Sequence, residues 1–113
     1  MENCVFCRIV RGEIPARLVS EDEHLMAFHD LSPQAPVHVL VIPRKHIATI
    51  QQIAPEDAAL FGHLWTRLPR LAEELGIAGG YRVVANCGES VGQAVFHLHY
   101  HLLGGRAMGW PPG

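Results

Sequence analysis

Three histidines near the end of the chain alternate with other residues, and this spacing is typical of either catalysis or metal binding. His97, His99 and His101 are separated by Leu98 and Tyr100. Because alternate residues of a β-strand share one face, a strand over this segment would align the three imidazoles at steps of about 6.6 Å. Near neutral pH an imidazole can be a base, a nucleophile or a metal ligand. Each ring needs polar partners, so the pattern favours a functional site without choosing between these chemistries.

A second set of candidate ligands lies at the start of the chain, where Cys4 and Cys7 form a Cys-x-x-Cys pair on a predicted helix. A redox pair of the thioredoxin type follows a strand, and only three residues precede Cys4. Two thiolates supply half of a tetrahedral zinc site, which would need two more ligands from elsewhere in the chain. The two cysteines by themselves leave zinc binding and simple burial open.

The elements that must position these residues follow from hydrophobic spacing and from turn residues. A short helix over residues 5–11 ends at Gly12, and a long helix begins at Pro55, contains Pro69 and stops at Gly76. The predicted order is helix, three strands, helix, two strands, with short connections that permit antiparallel pairing, which indicates an α+β domain. The predicted strands cover residues 18–21, 25–30, 37–42, 81–86 and 95–103.

Composition restricts the class of protein. The 113 residues predict one domain over 1–113, and 49% hydrophobic with 18% charged residues is a globular composition. A formal net charge of -2 argues against a nucleic-acid-binding face. No apolar run approaches the roughly 20 residues of a membrane helix, and the first residues do not resemble a signal peptide. Three cysteines are too few for a disulfide scaffold, so we expect reduced thiols and a cytoplasmic protein.

The sequence around the three histidines resembles the histidine-triad (HIT) family. The motif of that family is His-x-His-x-His followed by two apolar residues, and residues 97–103 match it in full. Segments 27–30, 32–36, 41–46 and 104–113, the last ending in Trp-Pro-Pro-Gly, resemble its Hint-like branch of purine nucleoside phosphoramidases. The resemblance covers nearly the whole chain. It implies the HIT fold, a five-stranded antiparallel sheet with two helices, and a homodimer.

The resemblance also implies a reaction and two catalytic residues. The expected activity is hydrolysis of purine nucleoside 5′-phosphoramidates to the nucleoside monophosphate, with no cofactor in the chemistry. His99, the middle histidine of the motif, is the expected nucleophile, and covalent catalysis divides one difficult displacement into two easier ones. His101 is expected to donate to the phosphate as charge builds. Two alternatives remain: a dinucleoside polyphosphate hydrolase, or a nucleotide-binding or scaffold protein with little turnover.

Nine residues are assigned to the nucleotide by the same resemblance. Asp30 would accept hydrogen bonds from the ribose hydroxyls, although its place before Ser32 is also typical of an Asx turn. Ala94 stands where the Hint-like branch usually has serine or threonine, a hydroxyl that can help protonate a departing amine. The other candidates are Phe6, Ile9, Phe28 and Leu31 around the base, and Asn86, Gly92 and Gln93 in a glycine-containing phosphate loop.

Some HIT relatives complete the cysteine pair with two histidines, which here would be His46 and His97. The resulting Cys2His2 zinc site, with Cys4 and Cys7, would be closed and therefore structural. The alternative places His46 near the substrate phosphate and leaves His97 as a hydrogen-bonded strand residue. The resemblance assigns no role to His24, His29, His38 or His63.

Overall fold

The computed structural model describes residues 3–113, and in this part of the chain two α-helices accompany a five-stranded sheet. The strand order is β1-β2-β3-β5-β4, and each neighbouring pair is antiparallel. The α+β class and the five-stranded antiparallel sheet are therefore confirmed. In chain order the elements are α1 (Val5–Val10), β1 (Leu18–Glu21), β2 (Leu25–His29), β3 (Val37–Pro43), α2 (Ala58–Glu74), β4 (Tyr81–Val84) and β5 (Tyr100–Gly104).

The sheet separates two hydrophobic clusters, because alternate residues of a strand face opposite sides. Val39 and Val41 of β3 belong to the cluster covered by α2, whereas Leu40 and Ile42 belong to the cluster that contains Phe6 of α1. The apolar positions of α2 recur at helical spacing, so the helix presents one continuous face to the sheet. That buried face consists of Phe61, Leu64, Leu68, Leu71 and Ala72.

The long helix is one helix with Pro69 in its interior, as predicted, but its start differs from the prediction. Pro55–Asp57 forms a separate 3₁₀ turn, and α2 begins at Ala58. The Asp57 carboxylate holds this turn: one oxygen accepts the Ala54 N–H at 2.9 Å and the other accepts Lys45 Nζ at 2.6 Å. At the other end, Gly76 takes the left-handed conformation (φ +75) that ends a helix.

The last strand is shorter than predicted, and this corrects the expected geometry of the three histidines. β5 begins at Tyr100, so His101 lies in the strand while His97 and His99 precede it in irregular structure. The ladder between β3 and β5 ends at the pair Val41–Tyr100. Pro43 of β3 has no N–H to extend the ladder, and its carbonyl oxygen instead accepts a hydrogen bond from the His97 ring. A row of three imidazoles on one strand face is therefore wrong.

The segment after β4 also leaves the sheet earlier than predicted. β4 ends at Val84 rather than at residue 86, and a 3₁₀ turn over Glu89–Val91 follows. Gly88 and Gly92 flank this turn with φ near +105°, a conformation that residues with a Cβ rarely adopt. The loop returns the chain to residues 97–99.

Candidate active site

His99 is held in one orientation by its own backbone neighbour. The ring nitrogen Nδ1 lies 2.7 Å from the carbonyl oxygen of His97, and the side chain is buried. A carbonyl only accepts, so Nδ1 must carry the proton, and in the neutral ring Nε2 then carries the lone pair. A neutral imidazole with a free, fixed lone pair can act as a nucleophile.

His101 is connected to a histidine that sequence reasoning left without a role. His38 Nε2 lies 2.8 Å from His101 Nδ1, and His38 Nδ1 accepts the backbone N–H of Gln34 at 3.0 Å. Because Nδ1 of His38 is an acceptor, the proton of its neutral ring is on Nε2, which donates to His101. His101 must then carry its own proton on Nε2. This chain of hydrogen bonds makes His101 a donor at the nitrogen that faces away from His38.

The pKa values agree with neutral rings. Burial lowers the pKa of His101 to about 4, and the neighbouring His99 and His38 rings contribute to this shift. The Asp30 carboxylate acts in the opposite direction. Burial also lowers the pKa of His38, although the Asp30 carboxylate opposes the effect. Both imidazoles are therefore neutral at pH 7, as the tautomer assignment requires. His38 could have been noticed in the sequence, because a polar side chain on an otherwise apolar central strand needs a partner.

An apolar cavity of about 290 Å³ opens beside these rings. The Phe6 ring connects the cavity to His99, since its centroid lies 5.5 Å from that of Phe28 and 5.2 Å from that of His99. Leu31 is 93% exposed at the rim. Five of the nine residues assigned to the nucleotide line this cavity: Phe6, Ile9, Phe28, Asp30 and Leu31.

Asp30 forms the Asx turn that its sequence position indicates, and its role toward a ribose stays a prediction. Its Oδ1 accepts the Ser32 N–H at 2.7 Å, which is the Asx turn. Its Oδ2 lies 3.4 Å from His38 Nε2 at the edge of the apolar cavity. The carboxylate thus carries negative charge at a point where hydroxyl groups of a ligand could donate to it.

The side chain of Gln93 forms hydrogen bonds within and beside the candidate phosphate loop and does not face a ligand. Its amide donates to the carbonyl oxygens of Ala48 and Val95 and accepts the Gly88 N–H, all within 3.0 Å. The side chain is 2% exposed, so it shapes the loop and has no free group for a ligand. Asn86 lies beside Gly92, within 3.8 Å of the position a Cβ would take there.

Ala94 lines a second cavity, of about 430 Å³, rather than the first. Val5 and Val95 line both cavities, so the two are neighbours. Within residues 3–113 no hydrogen bond engages the Ala94 N–H, which leaves this donor available. The rest of the wall is formed by Asn3, Cys4, His46 and Phe96.

The four residues predicted as metal ligands come together, although they are up to 93 positions apart in the chain. His97 Nδ1 lies 3.4 Å from Cys4 Sγ, 3.5 Å from Cys7 Sγ and 3.3 Å from His46 Nδ1. Cys7 Sγ lies 3.1 Å from His46 Nδ1. Four donor atoms at such separations can surround one metal ion. His46 Nδ1 points to this cluster, and the residue also lines the second cavity.

The remaining histidines lie in other surroundings. His63 of α2 contacts the Asp22 carboxylate at 2.7 Å, and the His24 ring packs against it, so these residues join the β1–β2 turn to the helix. His29 lines the apolar cavity. Within residues 3–113, no helix is long and apolar enough to span a membrane.

Comparison with known proteins shows the same architecture elsewhere. The HIT domain model matches residues 11–108. An uncharacterized HIT-like protein of Synechocystis is 52% identical over 99% of this chain and 98% of its own. A HIT family hydrolase of Legionella pneumophila superposes with a TM-score of 0.95 at 51% identity, covering 98% and 100% of the two chains.

A more distant solved structure, the histidine triad nucleotide-binding protein of Candida albicans, is 31% identical with a TM-score of 0.83. It covers 98% of this chain, which in turn covers 85% of that protein. These matches extend over nearly the whole chain. The chain belongs to the HIT domain family and has the fold of its hydrolases.

Proposed function

We propose that this protein hydrolyses purine nucleoside 5′-phosphoramidates, as the resemblance to the Hint-like branch implies. The observation that carries the proposal is the fixed tautomer of His99, whose Nδ1–H is held by the His97 carbonyl so that Nε2 keeps its lone pair. The neutral, donating His101 beside it supports the same reaction. The names of the Legionella and Candida relatives, a hydrolase and a nucleotide-binding protein, agree with this activity.

The reaction has two steps in which bonds balance. The His99 Nε2 lone pair attacks the α-phosphorus, and the P–N bond breaks with its electron pair going to the nitrogen, which takes a proton from solvent and leaves as the amine. Water then attacks the phosphorus of the nucleotidyl-histidine, the P–N bond to His99 breaks with its electron pair returning to Nε2, the proton of the attacking water passes to solvent, and the nucleoside monophosphate is released. His101 donates from Nε2 to a phosphate oxygen, where added negative charge is stabilised in the transition state.

The substrate is expected to occupy the two neighbouring cavities. A purine base fits the apolar cavity between the Phe6 and Phe28 rings, with the ribose hydroxyls donating to Asp30. The free N–H of Ala94 is suited to a phosphate oxygen, and the second cavity is suited to the leaving amine. Gln93 contributes by holding the loop.

Zinc is the metal we propose for the Cys4, Cys7, His46 and His97 cluster. Zn–S bonds of about 2.3 Å and Zn–N bonds of about 2.0 Å place tetrahedral ligand atoms about 3.3–3.8 Å apart. The 3.3–3.5 Å distances from His97 Nδ1 to the other three ligand atoms agree with that geometry, and the Cys7 Sγ to His46 Nδ1 distance of 3.1 Å is slightly shorter. The His97 Nε2–H bond to the Pro43 carbonyl is the outer contact that a metal-bound imidazole usually makes. Four protein ligands leave no open position, so the ion would hold structure.

A homodimer is also proposed, on the resemblance to the Hint-like branch. Trp65 on α2 is 51% exposed and packs against Tyr100, which supplies apolar surface on that side of the sheet. Light scattering should report twice the mass of one chain.

The activity is tested by comparing wild type with His99→Ala on an adenosine phosphoramidate that releases a detectable amine. We expect kcat to fall on the order of 10³-fold or more, because the nucleophile acts in the transition state. The Kd for adenosine monophosphate should change less than about threefold, since the base and ribose contacts remain. A folded His99→Ala protein that keeps substantial turnover would exclude His99 as nucleophile. A wild type that binds the nucleotide but does not turn over would favour the binding-protein alternative.

A further inference from the structure

The residues that hold His99 do not belong to the sheet. Because β5 starts at Tyr100, the strand ladder does not fix the backbone of residues 97–99. Yet the carbonyl oxygen of His97 determines which nitrogen of His99 carries the proton. Something other than the ladder must hold the peptide unit between His97 and Leu98.

That peptide unit is held from one short segment, residues 43–47, at the end of β3. The Leu98 N–H, which belongs to the same peptide unit as the His97 carbonyl, donates to the Ile47 carbonyl at 2.7 Å. The His97 ring donates from Nε2 to the Pro43 carbonyl, also at 2.7 Å. Both bonds are short, and His97 is fully buried.

The other end of the His97 ring faces the cysteine cluster. With the proton on Nε2, Nδ1 presents its lone pair toward Cys4, Cys7 and His46, at 3.3–3.5 Å. His46 lies directly before Ile47, so the cluster holds both the ring of His97 and the segment that binds its peptide unit. Removal of one thiol would release the ring at Nδ1 and loosen its connection to residues 43–47.

We propose that the Cys4, Cys7, His46 and His97 cluster positions the nucleophile, with His97 acting as a positioning residue through its backbone carbonyl. The inference rests on the proposed function of His99 and goes beyond a structural metal site. When the cluster is intact, the carbonyl holds His99 with Nδ1 protonated and Nε2 free. When the cluster is broken, His99 can exchange tautomers and rotate, and fewer molecules present the reactive nitrogen.

The test combines histidine NMR with kinetics on Cys7→Ser. In protein labelled with ¹⁵N-histidine, wild-type His99, identified by its loss in His99→Ala, should show one tautomer with the proton on Nδ1. We expect Cys7→Ser to show mixed tautomers for His99 and a kcat lower by roughly 10- to 100-fold, the usual effect of a misplaced reacting group. KM should change less than about threefold, because Cys7 itself does not line the nucleotide cavity.

Leu68→Ala is the matched control, because Leu68 is buried in the α2 cluster on the other face of the sheet. It should lower the thermal stability without altering the His99 tautomer or kcat below its melting temperature. If Cys7→Ser does not fold, the same NMR spectrum is recorded on wild type after chelation and again after addition of Zn²⁺ alone. The His99 signal should broaden or split on chelation and return with the metal.

A folded Cys7→Ser protein, or a chelated wild type, that keeps a single His99 tautomer would overturn the proposal. That result differs from a failure of the proposed function. In the latter case wild type is inactive on phosphoramidates, while the NMR comparison still reports whether the cluster controls the His99 ring.

Discussion

At the scale of single residues, the position of the proton on each of the three rings follows from a backbone group that can only donate or only accept, either directly or through a second histidine. The Gln34 N–H fixes the tautomer of His38, and His38 fixes that of His101. The His97 carbonyl fixes that of His99 in the opposite sense. The two adjacent rings, 5.0 Å apart between centroids, thereby differ: His99 keeps a lone pair on Nε2 and His101 carries a proton there, as the proposed roles of nucleophile and donor require.

The two successive hydrogen bonds from Gln34 to His38 and from His38 to His101 predict that His38 and His101 act as a unit. His101→Ala should slow turnover less than His99→Ala, and His38→Ala should slow it on the order of tenfold by freeing the His101 tautomer. In the double variant the two losses should not multiply, because residues of one hydrogen-bond network are coupled. Steady-state kcat for the four proteins of the cycle measures this. Multiplicative losses would show that His38 acts independently of His101.

Ala94 predicts a selective effect on the leaving group. Ala94→Ser places a hydroxyl in the second cavity, and it should raise kcat most for the most basic amines, whose departure most needs a proton. The gain expected for the poorest leaving group is about tenfold, equivalent to one hydrogen bond of about 1–1.5 kcal/mol. Ala94→Cys is the control of similar size with a weak donor. An equal gain across a series of amines would assign the hydroxyl a positional role.

At the scale of elements, the connection between β3 and α2 depends on one buried carboxylate. Asp57 joins the turn before α2 to Lys45, two residues after β3 and next to His46. The Lys45 ammonium, and then the Ala54 N–H, lower the pKa of Asp57 in the folded protein. The carboxylate thus joins the turn before α2 to the residue that precedes His46.

This lowered pKa predicts how the stability of Asp57→Asn, relative to wild type, changes with pH. A carboxyl group whose pKa is lower in the folded than in the unfolded state stabilises the protein above its unfolded pKa, and this contribution is lost as the pH falls through the folded pKa. Asp57→Asn should therefore lower the melting temperature at pH 7, and the difference from wild type should shrink below about pH 4. Glu56→Gln makes the same charge change on the exposed neighbour and should have little effect. A difference independent of pH would mean that the carboxylate charge is not the cause.

At the scale of the whole molecule, the cysteine cluster joins the amino-terminal helix to the segment after β3 and to the segment before β5. Cys4 and Cys7 lie at α1, His46 follows β3 and His97 precedes β5. A metal that binds here connects segments far apart in sequence, and a ligand that binds only the folded protein stabilises it by an amount that grows with the logarithm of its concentration relative to Kd.

The expected result is about one zinc per purified chain by elemental analysis. A zinc concentration a hundredfold above the Kd adds about 2.7 kcal/mol to the free energy of unfolding. In a protein of this size, this raises the melting temperature on the order of 10 °C above that of the chelated form. Cys4→Ser should bind less zinc and lose most of this shift. Protein made with ample zinc that contains none, and that melts unchanged after chelation, would exclude the site.

Much of the fold followed from local patterns. The bounds of β1 are as predicted, and α1, β2 and β3 differ from prediction by one residue, because turn residues and runs of apolar side chains act over short distances. The apolar candidates Phe6, Ile9, Phe28 and Leu31 could be named from the family resemblance, and they share one cavity.

The sequence by itself determined the residue types of the site: three histidines at alternating positions, a cysteine pair and a glycine-containing loop. Tertiary structure decided how they are used. The strand stops at Tyr100 because Pro43, on a different strand, cannot continue the ladder. His38 contacts His101, which lies 63 positions later in the chain. The Gln93 amide bonds to two carbonyl oxygens and one N–H that come close to it only in the folded protein. These outcomes depend on hydrogen-bond partners distant in sequence, and no local pattern specifies which donor will meet which acceptor.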